Sequence, residues 1–227
     1  MLQATGYQPQ RISTHAIEYA IQNYADITDA LGWGEQHEGH LWYVLTFPSA
    51  NATWVYDLTT NLWHERAYLT PATGELGRHR ANAHTFAFGK HLVGDYADGR
   101  LYELDEQTYT DDGDALKWLR RCPYVAAPNL PYVFFHWLQL DMETGVGLDG
   151  AAGPGQDPPV LLRWSDDSAH TWGTEHWTSA GRIGQFQQRA MWRRLGRSRA
   201  RVFEVSGTAP CKRTLLGAHL ETEVATA

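Results

Sequence analysis

The stretch HLWYVLTFPSANATWVYDLTTNLWHER, residues 40–66, decides the fold class. From His40 to Phe47, apolar side chains occupy every second position, which is the periodicity of a half-buried β-strand. Thr53 to Leu58 and Leu62 to Arg66 follow as two further strands, and the turn Thr59-Thr60-Asn61 between them consists of residues that tolerate unusual backbone angles. The stretch therefore predicts three consecutive antiparallel strands.

A second meander follows about 45 residues later, a separation typical of one blade in a β-propeller. Its strands and turns are Ala83 to Phe88, Gly89-Lys90, His91 to Tyr96, Asp98-Gly99 and Arg100 to Leu104. Trp54–Leu58 and Leu101–Asp105 occupy matching places in the two meanders, and a fourth strand, Leu116 to Arg121, could close the second one. Because a propeller needs about four blades or more to close, we expect an all-β fold of propeller-like blades that form an incomplete ring.

One segment has helical rather than strand periodicity. It runs from Ser13 to about Ala25, with Ser13 or Thr14 as the N-cap. Its apolar stripe is Ala16, Ile17, Ala20, Ile21 and Tyr24. We therefore predict one short N-terminal helix that packs this stripe into the core.

The pattern of strands and turns in the sequence changes near Pro123 to Pro131. This change predicts a domain of blades over 1–122 and a second β region over 123–227. The strands predicted beyond the boundary are longer: Val133 to Met142, Val160 to Ser165, Gln187 to Leu195, Arg201 to Ser206 and Arg213 to Glu221. Between the first two of them, the Gly- and Pro-rich residues 144–159 predict a mobile loop. Long strands in a meander are consistent with one large blade or with a small sandwich.

Composition excludes several classes of protein. No apolar run approaches the roughly 20 residues of a membrane-spanning helix, and the N-terminus lacks the pattern of a signal peptide. Cys122 and Cys211 are read as reduced thiols of a protein made in the cytoplasm. The net charge is −7, whereas a protein that grips phosphates is usually basic, so we expect neither a membrane partner nor sequence-specific binding of nucleic acid.

No motif in the chain predicts a cofactor, a metal or catalysis. Gly145, Gly147 and Gly150 spell G-x-G-x-x-G, but the prolines and glycines that follow prevent the helix that a dinucleotide site requires. The closest histidine pairs, His37 with His40 and His79 with His84, lack a third ligand at a familiar spacing.

One motif has a clear local meaning. Residues 165–172, SDDSAHTW, form an Asp-box-like turn in which Ala169 replaces the usual glycine; its defining residues are Ser165, Asp167, Thr171 and Trp172. Asp167 is expected to bind backbone amides of the turn, and Trp172 is expected to pack back against the blade. Such turns occur in sialidase-like propellers, so a carbohydrate-binding or sialidase-like β-propeller is an alternative reading.

Charges are unevenly distributed along the chain. Acidic residues concentrate at Asp111, Asp112 and Asp114, and basic residues at Arg193, Arg194, Arg197 and Arg199. Charges of this kind are often simply solvated, but complementary clusters on one molecule also favour contacts between copies. We therefore take these seven residues as candidates for a subunit contact.

The chain also resembles a known family. GYQPQRISTHAIEYAI, TWVYDLTTNLWHER, LVGDYADGRLYELD, LQLDMETGVG, LLRWSDDSAHTWG and MWRRLGRSRARVFEV are similar, in order and spacing, to the packaged-DNA stabilisation proteins of short-tailed phages, also called tail accessory factors or tail hub proteins. The similarity spans most of residues 6–221. Family members are longer on the N-terminal side, so we expect a C-terminal portion, either as a fragment, a prophage remnant or an engineered piece.

The resemblance implies a propeller-like virion component without catalytic activity or cofactor. Its family forms a homo-oligomeric ring in the tail, between the head-to-tail adaptor below the portal and the tail needle, and helps to retain the packaged genome. The expected partners are therefore other copies of the chain, the adaptor and the needle protein, and the expected location is the phage tail.

Overall fold

The computed structural model describes residues 1–150 and 155–225. Strands make up 49% of the chain, and the described residues contain one helix, which confirms the prediction of an all-β fold with one short N-terminal helix. The helix, α1 (His15–Gln22), is capped by Thr14, whose hydroxyl accepts a 3.4 Å hydrogen bond from the amide of Ile17. None of the described helical structure is long and apolar enough to cross a membrane.

The chain divides into two compact units, Met1–Glu106 and Gln107–Ala227. Eleven strands belong to the first unit: β1 (Leu2–Thr5), β2 (Gln8–Arg11), β3 (Leu31–His37), β4 (His40–Phe47), β5 (Ala52–Asp57), β6 (Leu62–Glu65), β7 (Ala67–Leu69), β8 (Leu76–Arg78), β9 (Ala81–Ala87), β10 (Lys90–Asp95) and β11 (Leu101–Glu103). The predicted boundary between 122 and 123 lies further along the chain.

The first unit contains two antiparallel meanders and two smaller hairpins. One meander has the order β3-β4-β5-β6 and the other β9-β10-β11, while β1 pairs with β2 and β7 with β8. The amide of Leu58 donates to the carbonyl of Leu41 at 2.8 Å, and the amide of Leu104 donates to that of His91 at the same distance. The two matching segments, Trp54–Leu58 and Leu101–Asp105, therefore occupy equivalent positions beside the middle strands of the two meanders.

The second unit contains the remaining strands: β12 (Thr110–Asp111), β13 (Asp114–Ala115), β14 (Trp118–Arg121), β15 (Val125–Ala126), β16 (Val133–Met142), β17 (Pro159–Ser165), β18 (His176–Ser179), β19 (Met191–Arg193), β20 (Arg197–Ser198), β21 (Ala200–Gly207) and β22 (Leu215–Val224). β12 and β13 form a hairpin, and the longer strands form two sheets. In what we call the β21 sheet, the order is β14-β21-β17-β18, with β15 also on β21. In the β16 sheet, β19 and β20 pair with β16 and so does β22.

Among the described residues, one cluster of buried apolar side chains forms the core of this second unit. The buried members are Val133, Phe135, Leu138, Leu140, Val160, Leu162, Ala180, Ala190, Trp192, Leu195, Phe203 and Val205. They come from both sheets, and alternate residues of β16 and β17 point inward, as the period of a strand requires. Two sheets over a shared core form a β-sandwich, so of the two readings left open for the C-terminal part, the sandwich is confirmed.

The strand predicted to close the second meander belongs elsewhere. β14, which covers most of Leu116 to Arg121, pairs with β21 of the sandwich, from Trp118 opposite Gly207 to Arg121 opposite Glu204. The prediction was wrong because Trp118 packs against the sandwich core and Arg121 forms an ion pair with Glu204. Strand Gln187 to Leu195 is also shorter than predicted, since only Met191–Arg193 forms a strand and Arg194 has a left-handed backbone with φ of 60°.

Part of the predicted loop 144–159 is packed against the sandwich. The buried Thr144 donates a hydrogen bond to the carbonyl of Phe186 at 3.1 Å, and the amide of Gly145 donates to Ala180 at 3.1 Å. Gly145 has φ of 78°, and a Cβ there would lie 2.9 Å from the backbone of Gln185, so both its conformation and its surroundings require glycine. Residues 151–154 of the loop lie outside the described residues, and its mobility stays a prediction.

Candidate assembly surface

The Asp-box-like turn connects β17 to β18 through a set of local hydrogen bonds. Asp167 accepts from the hydroxyl of Ser165 at 2.6 Å, and from the amide and hydroxyl of Thr171 at 2.8 and 2.6 Å. These hydrogen bonds, first from Ser165 and then from Thr171, hold the pKa of Asp167 well below its usual value. Ala169 has φ of 71°, a left-handed conformation that favours the glycine usual at this position. The carboxylate is thus used to hold the turn.

Trp172 lies on the outer face of the β21 sheet, above a row of charges. Glu204 on β21 is opposite Arg121 on β14 and Arg163 on β17, and its two oxygens lie 2.6 and 2.5 Å from their Nε atoms. Both guanidinium groups also lie under the Trp172 ring, at 5.0 and 4.9 Å from its centroid. The tryptophan therefore packs on cations rather than in the apolar core.

The pKa of Glu204 reflects two opposing effects. Its side chain is 1% exposed, and this burial alone would raise the pKa. The hydrogen bonds from Arg163 and then Arg121 outweigh burial and hold the pKa of Glu204 below its ordinary value. The row Arg121–Glu204–Arg163 is therefore an ionised cluster at neutral pH, and it joins three neighbouring strands.

The four predicted contact arginines lie along one margin of the β16 sheet. Arg193 and Arg197 stand opposite Trp137 and Phe134 of β16, respectively, and all four arginines are exposed. The guanidinium groups of Arg197 and Arg199 lie 4.9 and 4.6 Å from the ring centre of Tyr132, and Arg199 also donates to the carbonyl of Leu130 at 2.8 Å. The structure thus brings the basic residues together on one surface, which we call the basic edge (Arg193, Arg194, Arg197, Arg199).

The predicted acidic partners lie in a different element. Asp111 and Asp114 pair directly in the β12–β13 hairpin, and Asp112 with Gly113 forms its two-residue turn. Both turn residues have positive φ, 51° and 87°, as the preferred turns of two-residue hairpins require. Contact between this hairpin and the arginines of another copy stays a prediction.

The structure reveals a second acidic group that the sequence argument missed. Glu221 and Glu223 are exposed on β22, which pairs with β16 on the side opposite to the basic edge. They are only two charges within a ten-residue strand, so clustering along the sequence gives no signal for them. Their position relative to the arginines becomes visible only through the pairing of distant strands.

Three histidines in the first unit were also missed as a group. His84 and His91 have ring nitrogens 3.0 Å apart, and the His37 ring is stacked on His91 with centroids 4.3 Å apart. Burial, followed by the neighbouring His37 and His84, lowers the pKa of His91. Among the described residues, no group of three or more His, Cys, Asp or Glu side chains is arranged to hold a metal ion. The cluster is therefore read as packing between β3, β9 and β10.

Comparison with known families agrees with the two-part architecture. Residues 1–109 match the family model described as Bacteriophage P22 Gp10, beta-propeller, and residues 117–223 match the model described as Bacteriophage P22 Gp10, beta-sandwich. The chain belongs to the Gp10 family of phage stabilisation proteins. A search of curated proteins finds no match.

Membership of the Gp10 family gives the chain a phage structural role and makes it a virion component by family. It also confirms the resemblance drawn from the sequence, over nearly the whole chain. The match to a propeller model covers the two meanders, and the match to a sandwich model covers the two large sheets, so the basic edge, β22 and the Asp-box-like turn lie in the part that matches the Gp10 sandwich.

Proposed function

We propose that this chain acts as a non-enzymatic, ring-forming hub of a phage tail, which joins the portal and its adaptor to the tail needle and helps to retain packaged DNA. The observation that carries the proposal is the match of both Gp10 models, in order, over residues 1–109 and 117–223. Its partners are other copies of the chain, the adaptor and the needle protein, and its location is the tail of the virion.

The geometry of the chain supports a role in assembly. Several charged side chains are already paired within the chain. Glu204 binds Arg121 and Arg163, and Asp167 accepts hydrogen bonds within its own turn. The basic edge, by contrast, is exposed on the sandwich and is the basic side of the proposed subunit contact. Its acidic partner is either the Asp111, Asp112 and Asp114 hairpin or the acidic strand β22.

The proposal is tested with DNA-filled heads of a short-tailed phage from which its own stabilisation protein has been deleted. Purified chain is added, the heads are sedimented, and the DNA that resists nuclease is measured after a mild heat challenge. We expect the chain to sediment with the heads and to increase the resistant fraction. An unrelated β-sandwich protein at the same concentration is the control.

Two results would count against the hub. If the chain stays in the supernatant and nuclease-resistant DNA does not increase, the proposed link to the head is wrong. If a glycan array instead captures the chain selectively, the carbohydrate-binding alternative replaces it.

A further inference from the structure

The outer face of the β16 sheet changes sign from one side to the other. Phe134 on the central strand has Arg197 directly opposite on one neighbouring strand and Glu223 on the other. Trp137 has Arg193 on the first side and Glu221 on the second. Residues directly opposite each other share one face of a sheet, so two successive rows run from a cation, over an aromatic ring, to a carboxylate.

These charges are poorly neutralised within the chain. Arg193 and Glu221 have no ion-pair partner among residues 1–150 and 155–225, and Glu223 has only the exposed His136, at 3.3 Å. In each row a whole strand separates the cation from the carboxylate, and neighbouring strands lie roughly 4.8 Å apart. Opposite charges are thus held apart on one surface, where a neighbouring molecule can supply the missing partners.

β22 forms the acidic side and has the features of an open sheet edge. It is ten residues long and, within the described residues, pairs with β16 alone. Leu216 and Val224 on it are 74% and 46% exposed. Proteins usually shorten, bend or cover such edges because they invite contact with another chain. Two register shifts interrupt its pairing with β16 and it carries two glutamates, but among the described residues no further strand covers it.

The basic edge offers a matching surface. A recess of about 290 Å³ lies there, lined by Phe134, Phe135, His136, Arg194, Gly196 and Arg197. The exposed Phe134 gives the recess one aromatic wall, and its arginine rim suits carboxylates. Glu221 and Glu223, which are two residues apart on β22 and so share one face of that strand, supply such carboxylates.

We propose that β22 of one copy docks on the basic edge of the next copy, so that Glu221 and Glu223 meet Arg193 and Arg197 head to tail. This inference rests on the proposed hub function and names the subunit contact within it. The contact is heterologous, which is the kind that builds rings or filaments. A two-fold contact of β22 with itself would place carboxylates near carboxylates, so charge opposes it.

Light scattering of the purified chain at low and high ionic strength tests the contact through charge reversal. The chain should form an oligomer at low salt and return toward its monomer mass of 25.6 kDa as salt screens the charges. Two variants, Glu221→Lys/Glu223→Lys and Arg193→Glu/Arg197→Glu, should each be monomeric alone. Their equimolar mixture should assemble again, because each variant then meets the opposite charge on its neighbour.

Matched controls separate this contact from a general charge effect. Asp149→Lys/Glu175→Lys and Arg120→Glu/Arg189→Glu change the net charge by the same amounts at exposed positions elsewhere on the same unit, and should assemble like the wild type. Circular dichroism and thermal unfolding of every variant show whether the sandwich remains folded. A variant that unfolds is replaced by the neutral pair Glu221→Gln/Glu223→Gln or Arg193→Gln/Arg197→Gln.

Several outcomes would overturn the proposal. A chain that stays monomeric at all concentrations at low salt contradicts it, and so does a mixture of folded variants that fails to reassemble. If Asp112→Lys/Asp114→Lys abolishes the oligomer while the β22 variant does not, the hairpin is the acidic partner. If the arginine variant loses only binding to duplex DNA, in a mobility-shift assay, the basic edge is a DNA surface. The sedimentation with heads is measured separately, so the failure of this contact between copies can be distinguished from the failure of the proposed link to the head.

Discussion

The two units of this chain are stabilised in different ways. In the sandwich, twelve buried apolar residues form one continuous cluster. In the first unit, carboxylates are buried among the strands: Glu35 is 3% exposed and lies 2.6 Å from Arg66, and Asp95 is 8% exposed and is paired with Arg80. The sandwich therefore combines one large apolar cluster with the buried carboxylate of Glu204, whereas the blades bury fewer apolar side chains, among them Val44 and Val55, together with ion-paired carboxylates.

Charge follows the same division. Residues 1–106 contain thirteen Asp and Glu against six Lys and Arg, while the rest of the chain contains thirteen of each. The net charge of −7 thus belongs to the first unit, and the sandwich is neutral overall but strongly patterned. We therefore expect the loss of buried apolar volume to act most strongly in the sandwich, and mild acid to act on the first unit through the buried His79.

The largest effect is expected from Phe135→Ala in the sandwich core. Phe135 is 1% exposed, and its ring contacts Phe203 edge-on at 5.5 Å between centroids. Loss of the ring removes buried area and leaves a cavity, so the free energy of unfolding should fall by about 3–5 kcal/mol. Urea unfolding measures the loss, and hydrogen exchange should locate it in β16 and β21 while β5 keeps its protection.

Phe186→Ala is the matched control for this change. Phe186 is 73% exposed, so its removal should have little effect on unfolding. Equal losses for the two variants, or equal deprotection of β5, would contradict the placement of Phe135 in a core cluster that belongs to the second unit.

The first unit should lose stability in mild acid through His79. Burial, followed by the nearby Arg66, lowers the pKa of His79 from 6.5 to about 4. Between these two values the unfolded chain binds a proton that the folded unit does not, so unfolding becomes easier as pH falls from 6.5 to 4, by at most about 3 kcal/mol. Above pH 6.5 this contribution does not change. Titration of the His79 ring by NMR gives the pKa directly.

His79→Gln keeps an acceptor for the amide of Ala81, which lies 3.3 Å from the His79 ring nitrogen. In this variant the unfolding free energy of the first unit should depend less on pH between 6.5 and 4. An unchanged pH dependence, or a His79 ring that titrates near 6.5, would remove His79 as the cause.

Glu204→Gln tests the charged row on the sandwich. The variant loses the ionised partner of Arg121 and Arg163, but these side chains are 52% and 28% exposed and can turn toward water. The loss at neutral pH should therefore be about 2 kcal/mol, below that of a wholly buried pair. Because the folded-state pKa is lowered from 4.5, the advantage of the wild type is complete above pH 4.5 and disappears as pH falls through the lower value.

Urea unfolding at pH 7 and at a series of lower pH values measures this difference. Glu175→Gln, at an exposed position, is the matched control and should leave stability nearly unchanged. If the two variants behave alike, the Glu204 row contributes nothing beyond an exposed charge.

Local patterns in the sequence predicted much of the fold. The alternation from His40 to Phe47 and the turns at Asn61 and Gly89 predicted the meanders, and Thr14 was correctly placed as a candidate cap. These features act over a few residues, so no tertiary information is needed to recognise them. The family resemblance, which rests on ordered segments over most of the chain, implied the propeller-like blades, whereas the choice between a blade and a sandwich for the C-terminal part stayed open.

What the sequence argument missed depends on contacts between distant residues. Trp118 and Arg121 read as one more strand of a meander, yet their partners are Gly207 and Glu204 on β21. Likewise, Glu221 becomes part of a charged row only because β16 lies between it and Arg193. Strand pairing of this range is fixed by core packing, and a periodicity of two cannot identify the partner.

The smallest effect should have the opposite sign, at the turn that connects β17 and β18. Ala169 has φ of 71°, where its Cβ is strained, and glycine adopts this conformation without that cost. Ala169→Gly should therefore raise the unfolding free energy of the sandwich by about 0.5–1 kcal/mol, even though glycine makes the unfolded chain more flexible. Ala218→Gly, in the exposed strand β22, relieves no backbone strain. It should therefore lower the unfolding free energy of the sandwich by a similar amount. Urea unfolding of the two variants gives the signs, and a loss for Ala169→Gly would mean that the turn conformation is not strained. A gain would show that the backbone strain at Ala169 lowers the free energy of unfolding, because this turn carries alanine at a position where glycine is usual.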